Sequence, residues 1–326
     1  MGGAAGGAVG AAIGSVVPIA GTIVGGIAGA IGSHMAERLL TEGHEVIGVD
    51  ALTPYYSPDI KKINISDVDS AGAKVFIRDL ATDDISPLLQ DVDFIFHFAA
   101  QPGISAATSF EEYVRNNIVA TEKLLQASIK IPNLKGFIHA STSSVYGAFA
   151  GGDEDVAPKP TSYYGVTKLA AEQLVLSYAR DKHFPATVLR FFSVYGPRER
   201  PEKLYHKLIK AVLEEKEFTV YAGAEKHVRS YTYVSDIIDG CMLVMNDFEK
   251  AKGEIFNLGN DKTMTTGEGI DLIQEIIGKK AKLIELPSRS GDQLETSAHI
   301  KKMRDIFGYN PTVELKEGLT KEVQWF

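Results

Sequence analysis

The sequence predicts an α/β fold: a doubly wound parallel sheet with a smaller C-terminal lobe. Three observations predict it. Short, continuous apolar runs recur up to about residue 192, helical stretches separate them, and a glycine-spaced turn opens the series. Strands covered on both faces read as unbroken apolar runs rather than alternating ones. Helices between successive strands make those strands parallel. Ligands of such sheets sit at the carboxyl ends of the strands.

The elements follow in order. Gly26-Ile27-Ala28-Gly29-Ala30-Ile31-Gly32 is the turn, and a helix near 34–42 follows it. His44 to Asp50 reads as a buried strand ending in an acid. Further strands are expected at Lys74–Ile77, Asp93–Phe98, Gly136–Ala140 and Thr187–Phe192, with helices near 109–129 and 162–181. The strand before the turn must be Thr22-Ile23-Val24. Glycine weakens a strand, so with Gly21 and Gly25 beside it this strand is expected to be poorly formed. After Ser193–Gly196 the texture changes. A helix near 202–216, strands near 218–221, 231–234 and 254–258, and a helix near 235–247 are expected, with 231–258 returning to the sheet. The remainder reads as short helices and loops.

A chain of 326 residues with 44% hydrophobic composition suffices for one large domain and a lobe. Net charge is -8 with acids and bases interspersed, and no basic tract points to nucleic acid. Cys241 is the single cysteine, which excludes an intrachain disulfide and fits a reducing cytoplasm. With no CxxC, HExxH or cysteine–histidine cluster, no metal is expected. Residues 1–33 carry no charged side chain, and Gly2, Gly6, Gly10 and Gly14 recur every four residues. Small residues so spaced allow close helix packing, including in membranes. Glycine and alanine are weakly apolar, however, and Pro18 interrupts the run. A low-complexity extension over 1–18 is therefore favoured over a membrane contact through 1–33; an artefact of gene calling is a third reading.

The glycine turn answers a physical need. It allows close approach of backbone to a pyrophosphate, with a helix N-terminus facing the anion. Gly26, Gly29, Ile31 and Gly32 are the binding positions. Asp50 lies at about the ~20-residue spacing of a ribose-binding acid. An acid there accepts the ribose hydroxyls of NAD and repels a 2′-phosphate, so NAD is expected rather than NADP.

Tyr164 and Lys168 stand four residues apart on a helix, which puts phenol and ammonium on one face. The ammonium is expected to favour the phenolate. Thr142, from the end of a preceding strand, adds a hydroxyl to hold a substrate oxygen. The set suits proton abstraction from an alcohol, the partner reaction of hydride transfer.

Taken together, these residues resemble the extended short-chain dehydrogenase/reductase family, with its Rossmann-type sheet, and within it the NAD-dependent nucleotide-sugar epimerases. Further motifs carry the likeness: Asp79-Leu80, His97-Phe98-Ala99-Ala100, Asn117 to Thr121 and Arg190 to Pro197. The resemblance implies an NAD-binding domain over 19–195 and a substrate lobe over 196–326. It implies that Asp79 and Leu80 line the adenine, that Ala99 and Ala100 line the path to the nicotinamide, and that Asn117 sits near the catalytic loop. His97 would be a structural neighbour. Arg229, Arg289 and Asp292 match positions that hold the UDP moiety. The resemblance also implies a homodimer through the helices near 109–129 and 162–181, where Leu169, Leu174, Leu176 and Tyr178 serve either that contact or the core.

The reaction implied is inversion at C4 of a UDP-sugar through a 4-keto intermediate. Dehydratases of the family carry an Asp-Glu pair after the threonine, and decarboxylases a glutamate. Here Ser143 and Ser144 fill those places. Ser193 and Arg200 look more like UDP-glucuronate 4-epimerases, in which Thr142, Ser143, Ser144 and Arg200 would hold the sugar carboxylate. UDP-glucose or UDP-N-acetylglucosamine as substrate, and a non-catalytic NAD-binding relative, are the alternatives.

Overall fold

The computed structural model describes residues 21–105, 107–287 and 294–326. In chain order the strands and helices of the first half are β1 (Thr22–Gly25), α1 (Ala30–Thr41), β2 (Val46–Asp50), α2 (Pro58–Ser70), β3 (Lys74–Ile77), β4 (Phe94–His97), α3 (Phe110–Tyr113), α4 (Ala120–Ser128), β5 (Gly136–Thr142), β6 (Phe149–Gly152), α5 (Tyr163–Lys182) and β7 (Ala186–Phe191). A π-helical turn over Val114–Val119 joins α3 to α4, so the expected 109–129 helix is one stretch. Then come β8 (Val194–Tyr195), α6 (Leu204–Leu213), β9 (Glu217–Tyr221), β10 (Val228–Arg229), β11 (Thr232–Tyr233), α7 (Val234–Asn246), β12 (Ile255–Leu258), β13 (Met264–Thr265), α8 (Thr266–Ile277), β14 (Lys282–Leu286), β15 (Glu295–Ala298), α9 (Lys301–Phe307) and α10 (Leu315–Trp325).

Seven parallel strands form the main sheet in the order β3-β2-β1-β4-β5-β7-β12. The order reverses at β1, between β2 and β4, and this opens a crevice at the carboxyl ends. Alternate residues of each strand pack on opposite faces. Val24, Phe96, Ile138 and Leu189 meet Met35 and Leu39 of α1 and Ile237 of α7 on one side. Ile23, Ile95, Phe137 and Val188 meet Leu124 of α4 and Val175 of α5 on the other. Leu176 joins that second core, with Leu174 and Tyr178 partly buried against it; Leu169 packs likewise on the first.

Three expectations are corrected. β1 is well formed: Thr22, Ile23 and Val24 are buried, and the strand pairs on both sides, with β2 and with β4. The glycines stand at its ends, where two neighbouring strands hold the backbone. Of 231–258, only β12 enters the main sheet; β11 pairs with β8 instead. The C-terminal remainder holds strands as well as helices. β13, β10 and β15 form a second sheet with β6, and β14 pairs with β9.

Residues 1–20, and with them most of the 1–33 segment, lie outside the described residues; residues 22–33 are β1, the glycine turn and the start of α1. Among the described residues no helix is long and apolar enough to cross a membrane.

Candidate active site

One large cavity lies over the carboxyl ends of β1, β2, β4, β5 and β7. Its walls bring together Gly26, Gly29, Ile31, Gly32, Asp50, Asp79, Leu80, Ala99, Ala100, Thr142, Ser143, Ser144, Tyr164, Lys168, Ser193 and Arg200. These residues span more than 170 positions of sequence, and the crossover topology alone places them side by side.

The glycine turn forms the floor. Gly26 has φ +79°, and a Cβ there would stand 2.9 Å from the Ala99 nitrogen. Only glycine lets the turn lie against the end of β4. Gly29 caps α1 without any side-chain bond, which leaves first-turn amides to an anion. Asp50 ends β2 and is fixed across the turn: its Oδ2 accepts from the Ala28 amide at 3.2 Å and its Oδ1 from Leu52 at 2.8 Å. An uncapped helix start, a glycine cradle and a fixed carboxylate fit a dinucleotide with free ribose hydroxyls. Asp79 is ion-paired with Arg115, and its Oδ1 accepts from the Ala81 amide, so it lines the cavity as a held group.

Thr142 closes β5, and its Oγ1 accepts from the Ser144 amide at 3.1 Å. α5 starts beside it, capped by Ser162, whose Oγ accepts from Gly165 at 3.1 Å. A Cβ on Gly165 would stand 2.6 Å from the Ser144 carbonyl oxygen. Glycine after Tyr164 therefore lets the helix start rest on the Thr142–Ser144 segment, and this brings phenol and hydroxyls together. Burial raises the Tyr164 pKa, while hydrogen bonding to Thr142 and the charge of Arg200 oppose the rise. In the chain alone the phenol thus lies above its ordinary value of 10.0, not below it. Lys168 is buried, donates to the Ala140 carbonyl at 2.6 Å, and is itself pushed down to about 8 by burial, with Glu172 opposing.

Asn117 is not in the cavity wall. It lies buried behind it, where its Oδ1 accepts from the Gln101 amide at 2.7 Å and its Nδ2 donates to Thr167 at 3.0 Å. It ties the loop after β4 to α5, one residue from Lys168. His97 is fully buried, with Nε2 at 2.9 Å from Thr121 Oγ1, and burial drives its pKa down to about 3. Arg229 stands outside the cavity wall, donating to the carbonyls of Val228 and Leu294. Arg289 and Asp292 lie outside the described residues.

The cavity also holds residues that sequence reasoning missed, among them Tyr55, Tyr56, Lys61 and Arg78. Tyr55 underlies Arg200, the guanidinium carbon 5.7 Å from the ring centroid. Lys61 donates to the Thr53 carbonyl at 2.9 Å. The available signal was the Pro54-Tyr55-Tyr56-Ser57-Pro58 loop directly after Asp50: such a loop sits at the carboxyl edge, where ligands bind.

Residues 22–259 match the family described as the NAD dependent epimerase/dehydratase family. Over 302 residues the chain is 37% identical to the uncharacterized UDP-glucose epimerase YtcB of Bacillus subtilis, covering 90% of this chain and 94% of that one. It is 33% identical to UDP-glucuronate 4-epimerase 1 of Arabidopsis thaliana, covering 90% and 74%. The structure of UDP-glucuronic acid 4-epimerase from Bacillus cereus, in complex with UDP-glucuronic acid and NAD, has a TM-score of 0.89 at 38% identity and covers 94% of this chain and 98% of its own.

Proposed function

Because the chain belongs to the NAD dependent epimerase/dehydratase family, we propose that it is an epimerase that inverts C4 of UDP-glucuronate to give UDP-galacturonate. The observation that carries the reading is the meeting of Thr142, Ser143, Ser144 and Arg200 in one cavity with Tyr164 and Lys168, with no acid in the 142–144 segment. Hydroxyls and a guanidinium suit a carboxylate, and the absence of an acid in that segment disfavours loss of water from the sugar.

Gly26, Gly29, Ile31, Gly32 and Asp50 hold NAD, with Asp79, Leu80, Ala99 and Ala100 along its length. Bound there, NAD supplies the hydride acceptor and donor and a positive ring that favours the phenolate. Tyr164 takes the proton from the sugar 4-hydroxyl and later returns one. Thr142 donates to the oxygen that becomes the ketone. The 4-keto sugar of a glucuronate is a β-keto acid, prone to lose carbon dioxide. Holding its carboxylate fixed at Thr142–Ser144 and Arg200 keeps it out of the alignment that loss requires. Arg229, Arg289 and Asp292 serve the UDP end.

Incubation with UDP-glucuronate, without added NAD, followed by NMR of the sugar 4-position, tests the reading. UDP-galacturonate without a pentose product is expected. Conversion of UDP-glucose alone would move the substrate to the neutral class, a second reading favoured by the name of the Bacillus subtilis relative. Inactivity on both would sink the epimerase.

We further propose a cytoplasmic homodimer through α3–α4 and α5. Phe110, Val119, Tyr163 and Val166 leave apolar surface exposed on those helices, and light scattering at the monomer mass would exclude the dimer.

A further inference from the structure

The helix that carries Tyr164 and Lys168 carries a third member on the same stripe. Glu172 follows Lys168 by four residues, and side chains so spaced stand one above the other. It has no exposed surface, yet each carboxylate oxygen is bound. Arg190 of β7 grips it with two bonds, Nη2 to Oε1 at 2.6 Å and Nε to Oε2 at 3.0 Å. Ser141 Oγ donates to Oε2 at 2.8 Å. Ser141 is the residue between Ala140, whose carbonyl takes the Lys168 ammonium, and Thr142. Arg190 in turn donates to the Tyr146 hydroxyl at 2.7 Å and the Glu154 carbonyl at 3.2 Å, and Tyr146 donates to Asn257 of β12 at 2.8 Å. The carboxylate thus sits where the catalytic helix, the catalytic strand and its neighbour β7 meet.

The charges around Lys168 make the arrangement more than a brace. His97 of β4 and His139 of β5 face it, and burial keeps both neutral. Tyr164 is a neutral phenol until it ionises. Arg190 brings a second positive charge to the same interior. Among the described residues, Glu172 is the one anion acting on Lys168. Lys168, Arg190 and Glu172 together carry one net positive charge, and an ionised Tyr164 balances it.

We propose that Glu172, held by Arg190 and Ser141, is a positioning residue for the reaction: it keeps the buried Lys168 charged and the helix face of Tyr164 and Lys168 in register with Thr142. The inference rests on the reading of Tyr164 and Lys168 as the catalytic pair, and its test reads Lys168 directly. Removing one charge of a buried pair strands the other, so the variant is the neutral pair E172Q/R190Q. If glutamines do not fold there, E172M/R190L replaces the pair by apolar side chains of similar size.

Full-length protein with the NAD it carries, labelled at lysine Cε, is titrated by NMR, and the Lys168 signal is assigned by its loss in K168R. In the parent the signal is expected to titrate near 8. In the paired variant it is expected to titrate roughly one pH unit lower or more, with the alkaline limb of the kcat profile moving by the same amount. A midpoint that stays at the parent value overturns the proposal and leaves the pair a structural brace. If Lys168 shifts as expected while the parent converts no UDP-sugar, the positioning inference stands and the proposed reaction falls.

Discussion

In the proposed reaction the chemistry turns on Tyr164, and its surroundings set a clear expectation for its removal. Its hydroxyl shares the cavity with Thr142 and Arg200, which oppose the rise in pKa that burial imposes on the phenol. Tyr164→Phe deletes one oxygen and leaves the ring packing alone. It should lower kcat by about 10²–10⁴-fold, the usual worth of a positioned proton acceptor, with the melting temperature nearly unchanged. Steady-state rates and a thermal melt check both; a rate within a few-fold of the parent would remove Tyr164 as the base. At this scale the sequence was legible where chemistry depends on spacing along one element. Tyr164, Lys168 and the Thr142 segment read directly, because a helical repeat and a strand end fix them locally. The Glu172–Arg190 pair did not: its members are 18 residues apart on a helix and a strand, and only the fold joins them. Tyr55 escaped for a similar reason, since it lies on a loop whose approach to Arg200 is set by the whole sheet.

At the level of elements, the glycine turn between β1 and α1 makes the most exposed claim. Gly26 combines φ +79° with a backbone approach that leaves no room for a Cβ beside Ala99. Gly26→Ala must adopt a left-handed conformation, at about 1–2 kcal/mol, and push the turn off the end of β4. Bound NAD should weaken at least about tenfold, since 1.4 kcal/mol is a factor of ten. The nucleotide released from purified variant by heat, measured by absorbance, reads this; full NAD occupancy in the variant would show that the turn has room to relax. The same turn explains an error of sequence reading. Glycine-rich flanks argued against β1, yet the strand is central, because pairing on both sides outweighs local propensity. α2 was missed because its buried face is Lys61, Asn64 and Val68 rather than an apolar stripe; Asn64 holds the Ala28 carbonyl at 2.8 Å. β14 was missed because its side chains remain exposed while its backbone pairs with β9.

Across the whole molecule, groups buried on folding give stability two opposing dependences on pH. His97 and His139 lie with ring centroids 5.2 Å apart and no exposed surface, and burial holds both well below their ordinary value of 6.5. A depressed folded pKa contributes stability that is fully present above the unfolded value and is lost as pH falls below it. Glu322 of α10 works the other way. It is fully buried, its oxygens make no well-formed hydrogen bond, and burial together with the neighbouring Glu199 pushes it up to about 9. Its contribution is complete below the ordinary carboxyl value of 4.5 and is lost as pH rises toward 9. Between 4.5 and 6.5 the two slopes cancel in part, so the parent's own stability curve does not separate them. The difference between parent and Glu322→Gln does, because the amide keeps the shape and never ionises. The variant should match the parent at about pH 5 and exceed it at about pH 8, by up to about 1.4 kcal/mol for each pH unit above the unfolded carboxyl value. Denaturant unfolding at both pH values measures the gap. A gap that fails to widen with pH would mean that Glu322 is ionised and paired in the folded chain. It would also free Glu199, which lines the cavity beside Arg200, from sharing a buried site with a protonated neighbour.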